Sequence, residues 1–368
     1  MEVTMLDYIK ESETFLQENI RSSRALTKTL VDFYLQNHLD NITIIGCGSS
    51  YNSSNCARFF MEKYLKRKIS IVTPFTFANH ETKPDLNDLV ICASQSGCST
   101  NTIEALALLQ EHKTVALTGK DDCDMAQYAS IHVNWQMGNE LIGYATKGVV
   151  TMALFLMLFA LEVSIRKGYI NEEEYEKEIN ELSGTTSLHR QLVEETCNIF
   201  EKNKEDFLGF SRAYLLSSGA NYGTIIEGAL KITETTCKAV QAFEVEEFLH
   251  GPCYALNPDC LIITVDNNDD PSSSRINEVA QGLRMVTKKI YAITNDKSID
   301  DAYALRTASE TDPLVSPLYK LAVFQTLAYL ISENSNHYEP CEEFKQFRRS
   351  NKIATKSRQN IYMNLQKL

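Results

Sequence analysis

Twice along this chain an apolar strand runs into a loop of Gly and Ser and then into a helix. The first pass is Ile44-Ile-Gly46-Cys-Gly48-Ser-Ser50, and the second is Leu215-Leu-Ser217-Ser-Gly219. A strand followed by a covering helix makes the next strand parallel to it. Repeating that unit gives a parallel sheet with helices on both faces. Apolar runs at 41–46, 69–73, 88–93, 114–118 and 131–134 predict five strands in the first half. Runs at 212–216, 260–265 and 289–294 predict three more in the second. Helices are expected at 6–19, 23–36, 51–65, 147–167, 222–239 and 314–333. The expected class is therefore α/β. The expected segments are an N-terminal helical stretch (1–35), a first domain (36–168), a helical linker (169–204), a second domain (205–334) and a C-terminal tail (335–368). The linker is polar, with acidic runs such as Glu172-Glu-Glu-Tyr-Glu-Lys177, and reads as a solvated helix pair.

The net charge is −12, with no basic cluster outside the tail, so a nucleic-acid groove is not expected. The longest apolar run, Val149 to Leu161, suits a core helix better than a membrane span. The acidic start, Met1-Glu-Val-Thr-Met-Leu-Asp-Tyr8, does not read as a secretory signal, so a cytoplasmic protein is expected. Ten cysteines lie scattered without a C-x-x-C pair. They read as reduced, buried, small apolar residues, Cys92 and Cys260 within strands, and no metal or other cofactor is expected.

Two segments carry the chemistry. The run Ala93-Ser94-Gln95-Ser96-Gly97-Cys98-Ser99-Thr100-Asn101-Thr102 follows a buried strand and opens a helix. Free N–H groups and the helix dipole at such a junction favour an anion. The hydroxyls there, with no Lys or Arg among them, suit a phosphate monoester held by hydrogen bonds. The second segment is Glu227-Gly-Ala-Leu-Lys231-Ile-Thr-Glu234, a helix that sets Lys231 and Glu234 on one face. Sixteen residues later comes His250, fixed before a Gly-Pro turn. A carboxylate and an imidazole near one ligand can open a sugar ring and move a proton between adjacent carbons. The plainer readings of the same residues are an ordinary N-cap loop, an exposed ion pair and a turn histidine.

The chain resembles the sugar isomerase (SIS) family over nearly its whole length. It is most similar to the isomerase half of glucosamine-6-phosphate synthase and to fructosamine-6-phosphate deglycases. The matching segments are Gly46 to Asn52, Ser94 to Thr102, Ile142-Gly-Tyr-Ala-Thr-Lys147, Glu227 to Glu234, and Glu247-Phe-Leu-His-Gly-Pro252. The resemblance implies two flavodoxin-like SIS domains, each a parallel sheet flanked by helices, with a phosphosugar in the first. It implies phosphate contacts from Ser94, Ser96 and Ser99, with Thr102 as a second candidate for the third hydroxyl. Gln95 and Ser50 match further phosphate or sugar contacts, and Ser49 a backbone contact. Glu234 matches the base that shuttles the proton between carbons 1 and 2. Lys231 matches a partner of the sugar hydroxyls. His250 matches a ring-opening histidine supplied by the neighbouring subunit, which implies at least a dimer. Ala145 is expected to line the sugar pocket, and Lys352 and Lys356 are the lysines the tail offers to the site. The synthase also carries an N-terminal glutaminase, for which the forty residues before the first strand leave no room. The resemblance therefore points first to a deglycase of phosphorylated fructosamines. Behind it stand a deaminase or isomerase of amino-sugar phosphates and a non-catalytic phosphosugar sensor.

Overall fold

The computed structural model describes residues 3–266, 270–335, 341–348, 353 and 355–357. Two helices come first, α1 (Met5–Arg21) and α2 (Ser23–Gln36). A capping box starts α1: Thr4 Oγ1 accepts the Asp7 N–H while the Asp7 carboxylate accepts the Thr4 N–H. The first sheet contains β1 (Ile42–Gly46), β2 (Ile69–Val72), β3 (Leu89–Ser94), β4 (Lys113–Thr118) and β5 (Ile131–Asn134). Its order is β2-β1-β3-β4-β5, all parallel. With it go α3 (Ser49–Leu65), α4 (Pro74–His80), α5 (Thr100–Ala107) and α6 (Lys147–Arg166).

Two helices, α7 (Glu172–Lys202) and α8 (Lys204–Gly209), lead to the second sheet. Its strands are β6 (Arg212–Ser217), β7 (Ala239–Glu244), β8 (Cys260–Val265), β9 (Ile290–Ile293) and β10 (Ala304–Leu305). The helices of this half are α9 (Tyr222–Thr236), α10 (Val245–Leu249), α11 (Ser272–Leu283) and α12 (Pro317–Asn334), followed by α13 (Glu342–Arg348). Read from its β7 edge, the second sheet runs β7-β6-β8-β9-β10, again parallel, which repeats the order of the first. The central strands β3 and β8 are buried at all six positions, as apolar runs covered on both faces require.

Helix α6 is long and apolar enough to cross a membrane, yet 94% of its apolar window is buried inside the protein. It packs on α1, α2 and α3 and forms the centre of the larger core. The linker departs from expectation. It is one 31-residue helix, not a solvated pair, and it packs on α12 and α1. A stripe of Leu182, Leu188, Leu192, Ile199 and Phe200 is buried beneath an acidic outer face. The exposed charges outnumber that stripe in the sequence and mask its period. Strand β7 was also unexpected: it follows closely after α9 and is half-exposed at the sheet edge. Cys92 and Cys260 are buried thiols as expected, whereas Cys47, Cys237 and Cys341 are exposed.

One buried group makes stability depend on pH. His189 on α7 is 1% exposed, and neither ring nitrogen has a partner among the described residues. Burial lowers its pKa from 6.5 to about 4. The unfolded chain thus binds a proton that the folded one refuses, and stability falls as pH drops from about 6.5 towards 4. At about 1.4 kcal/mol per unit, the loss approaches ~3 kcal/mol. Urea unfolding at pH 7.5 and 4.5 measures it. His189→Leu is expected to flatten this part of the profile.

Candidate active site

The loop between β3 and α5 is shaped by a glycine. Gly97 N–H donates to Ser94 O at 3.0 Å, and Gly97 sits at φ +62°. A Cβ there would stand 2.2 Å from Cys123 Cβ, so only glycine fits. Around this turn the hydroxyls gather. Ser94 Oγ and Ser99 Oγ lie 2.9 Å apart, and Ser96 Oγ accepts the Cys98 N–H at 3.3 Å. Ser99 is the N-cap of α5, which brings the first N–H groups of that helix to the same place. Thr102 Oγ1 is fully buried and has no partner among the described residues. Its usual acceptor one turn back, Cys98 O, is taken by Ser357 through N–H (2.8 Å) and Oγ (3.1 Å).

That second contact comes from the tail. Lys356 pairs with Ser99 in an antiparallel bridge, and Thr100 N–H donates to Thr355 O at 3.1 Å. The segment 355–357 therefore lies directly against the hydroxyl loop, with the Lys356 side chain exposed. Lys352 lies outside the described residues.

Gln95 turns the other way. Its Nε2 donates to Glu140 Oε2 at 2.7 Å. The other oxygen of Glu140 accepts the N–H groups of Thr146 (2.8 Å) and Lys147 (2.9 Å) at the start of α6. Glu140 thus ties the hydroxyl loop to the segment 142–147. Ala145 is half-buried against the larger core, and Thr146 O accepts Gln325 Nε2 from α12 at 2.9 Å.

The second cluster rests on the crossing of α3 and α9. Gly223 permits it: a Cβ there would come 2.4 Å from Cys56 N. Near the start of α3, Ser49 Oγ (2.9 Å) and Asn52 Nδ2 (2.8 Å) both donate to Glu227 on α9. Ser50 is buried in the same first turn. Lys231, fully buried, stands 3.4 Å from Glu227 and donates to Glu234 Oε1 at 2.6 Å. One ammonium therefore serves two carboxylates. Burial alone would lower the Lys231 pKa, but Glu227 and Glu234 outweigh it and hold the ammonium above its usual value. Burial raises the Glu227 carboxyl, with Lys231, Asn52 and Ser49 opposing. The outer carboxylate, Glu234, keeps 32% of its side chain exposed, so it is the member a ligand can reach. Burial also raises the Tyr144 hydroxyl, helped by the nearby charges of Glu234 and Cys237.

His250 caps the C-terminus of α10 and is exposed. No hydrogen bond or ion pair joins its ring to Glu234 or Lys231 among the described residues. The structure thus joins Lys231 to Glu234 and gathers Ser94, Ser96, Ser99 and Thr102 at one loop, and among the described residues it bonds His250 to neither group. Sequence reasoning missed three residues that assemble this region. Glu227 was detectable, being one turn before Lys231. Asn52 and Glu140 carried no local signal, because their partners are 175 and 45 residues away.

Residues 36–162 match the family model described as the SIS domain. The chain carries a SIS domain. Among curated proteins it is similar to glutamine–fructose-6-phosphate aminotransferase (isomerizing) of Haemophilus influenzae, 23% identical over 303 residues. That match takes in 80% of this chain and 49% of the relative, so the chain spans about half the length of the curated relatives it matches. Among solved structures it is similar to a candidate phosphosugar isomerase of Clostridium difficile 630, with TM-score 0.86 and 25% identity, covering 96% of this chain and 100% of that one. The glucosamine-6-phosphate deaminase of Thermotoga maritima shares the fold, with TM-score 0.72 and 17% identity over 90% of this chain and 95% of that one. The hydroxyl loop and the segment 142–147 both lie inside the SIS domain, and the Glu227–Lys231–Glu234 cluster packs on it from the second half.

The second sheet differs at the equivalent strand end among the described residues. By strand order β8 corresponds to β3, and its end is closed by a buried ion pair, Lys320 Nζ to Asp266 Oδ1 at 2.9 Å. Lys320 also donates to Asp266 O at 2.8 Å, and Thr294 Oγ1 donates to the second carboxylate oxygen.

Proposed function

We propose that the protein is a phosphosugar-processing enzyme that cleaves 6-phosphorylated fructosamine-type substrates to a hexose 6-phosphate and a free amine. The observation that carries this reading is the reachable carboxylate of Glu234, paired with a buried lysine on a helix that packs against the SIS domain holding the hydroxyl loop. The loop anchors the phosphoryl group through Ser94, Ser96, Ser99 and Thr102, and binding energy gained there positions the reacting carbons. Gln95, Ser49, Ser50 and Ala145 border the sugar. His250, exposed at the end of α10, opens the ring in the site of a second copy of the chain.

Glu234 then takes a proton from carbon 1, giving an enaminol. A proton returned to carbon 2 leaves a carbon–nitrogen double bond at carbon 1. Water adds to carbon 1, the carbon–nitrogen bond breaks, and the amine leaves with a proton. No oxidant or reductant is needed. Lys231 stays protonated between Glu227 and Glu234, so it orients the base and neutralises charge near the enaminol oxygen. A tail lysine, Lys356 or Lys352, adds a cation at the phosphate end.

A second reading, an amino-sugar-6-phosphate deaminase or isomerase, draws on the fold shared with glucosamine-6-phosphate deaminase. It uses the same residues in the opposite direction. A phosphosugar sensor would need the hydroxyl loop but not the Lys231–Glu234 pair. A substrate panel decides: fructoselysine 6-phosphate, glucoselysine 6-phosphate and glucosamine 6-phosphate, with hexose phosphate and amine both quantified. Amine release from either lysine adduct supports the first reading, and release from glucosamine 6-phosphate alone supports the second.

Ser96→Ala is expected to raise KM for the phosphorylated substrate about tenfold or more. A hydrogen bond to a charged group contributes roughly 1.5–3 kcal/mol. Initial-rate kinetics check this, and an unchanged KM places the phosphate elsewhere.

A further inference from the structure

A cleft of about 560 Å³ opens where α9 ends. Thr236, Cys237 and Lys238 form one wall and directly follow the turn of α9 that carries Glu234. Phe210, Asn334 and Ser335 face them. The direction of α9 fixes where this cleft stands relative to a bound sugar. Helices α3 and α9 cross antiparallel, with Cys56 against Gly223 and Ser49 against Glu227. Moving along α9 from Glu227 through Lys231 to Glu234 therefore leads past the start of α3 and ends at Cys237. Cys237 follows Glu234 by three residues at the end of the same helix, which sets the base and the cleft wall in one neighbourhood.

The cleft wall holds a lysine whose described partners are neutral. Lys238 Nζ donates to Leu208 O at 2.8 Å and Phe210 O at 3.2 Å, and lies 4.3 Å from the Phe210 ring centroid. Among the described residues no carboxylate pairs with it. Burial, with a smaller contribution from Lys289, lowers its pKa below the ordinary lysine value. A partly buried ammonium with only neutral partners attracts an anionic group.

We infer that this cleft is the subsite for the amine half of the substrate, and that Lys238 receives a carboxylate there. The substrates are then 6-phosphorylated ketosamines of amino acids. This rests on the deglycase reading and narrows it, because a deaminase releasing ammonia has nothing to place in the cleft.

The test uses matched adducts of fructose 6-phosphate: glycine against glycinamide, and 6-aminohexanoate against 6-aminohexanamide. For at least one pair the wild type is expected to favour the carboxylate about tenfold in kcat/KM, chiefly through KM. Lys238→Gln is expected to bring that ratio to about one. Equal efficiency within both pairs in the wild type, or a ratio unchanged by Lys238→Gln, overturns the subsite and leaves the deglycase reading standing. No cleavage of any adduct, with glucosamine 6-phosphate consumed, overturns both. Should the variant not fold, the wild-type acid-to-amide ratio still decides whether a cation reads the carboxylate. Protection of Cys237 from iodoacetamide by the carboxylate adduct then locates it, and undiminished labelling of Cys237 counts against this cleft.

Discussion

Glu234→Gln is expected to lower kcat by about 10²–10⁴-fold while the dissociation constant for a hexose 6-phosphate changes by less than about threefold. The range is what a positioned general base contributes. The separation of the two effects follows from the geometry. The carboxylate bonds Lys231 and no group of the hydroxyl loop, so removing its charge leaves the phosphate contacts in place. Glutamine keeps an oxygen that can accept from Lys231, and Glu227 still balances the ammonium. Calorimetric titration and initial-rate kinetics on the same preparation make the comparison. Near-normal turnover would mean that another group takes the proton. Loss of binding together with turnover would mean that Glu234 holds the phosphosugar in place instead.

Lys320→Met is expected to cost about 3–5 kcal/mol of stability, because it strands the Asp266 carboxylate in a place where only 4% of its side chain is exposed. Asp266 is held by Lys320 and Thr294 at the end of a fully buried strand, so losing Lys320 leaves its charge without a cation there. The double variant Lys320→Met/Asp266→Leu is expected to recover most of the loss, since neither buried charge then lacks a partner. Urea unfolding of the four proteins of this cycle measures the coupling. Phosphosugar binding is expected to stay unchanged throughout, because Lys320 and Asp266 bond each other and, among the described residues, no group of the hydroxyl loop. A Lys320→Met protein of normal stability with weakened phosphosugar binding would instead make the end of β8 a working anion site.

How much of this was legible beforehand depends on distance along the chain. Strands buried on both faces announce themselves as unbroken apolar runs, which is why β3 and β8 could be read directly. Two passes of strand, small-residue loop and helix were enough to foresee two parallel sheets. The linker misled because its buried apolar stripe is diluted by surface charge over 31 positions. Strand β7 was obscured because only two residues separate it from α9. In the candidate site, Lys231 and Glu234 were legible as neighbours on one helix face. The burial of Lys231 was not, since it depends on α3 packing against α9. Glu140 joins Gln95 to the start of α6 through a loop without regular structure, where no periodicity exists to betray a partner. The closed edge of the second sheet was invisible for the same reason, with Asp266 and Lys320 lying 54 residues apart.

Crystals grown with a hexose 6-phosphate test the central claim most directly. The account predicts phosphoryl oxygens within hydrogen-bond distance of Ser94, Ser96 and Ser99 or Thr102, with carbons 1 and 2 within about 3–3.5 Å of the Glu234 carboxylate. A phosphoryl group bound away from the β3–α5 loop, or a sugar whose first two carbons point away from Glu234, would contradict it.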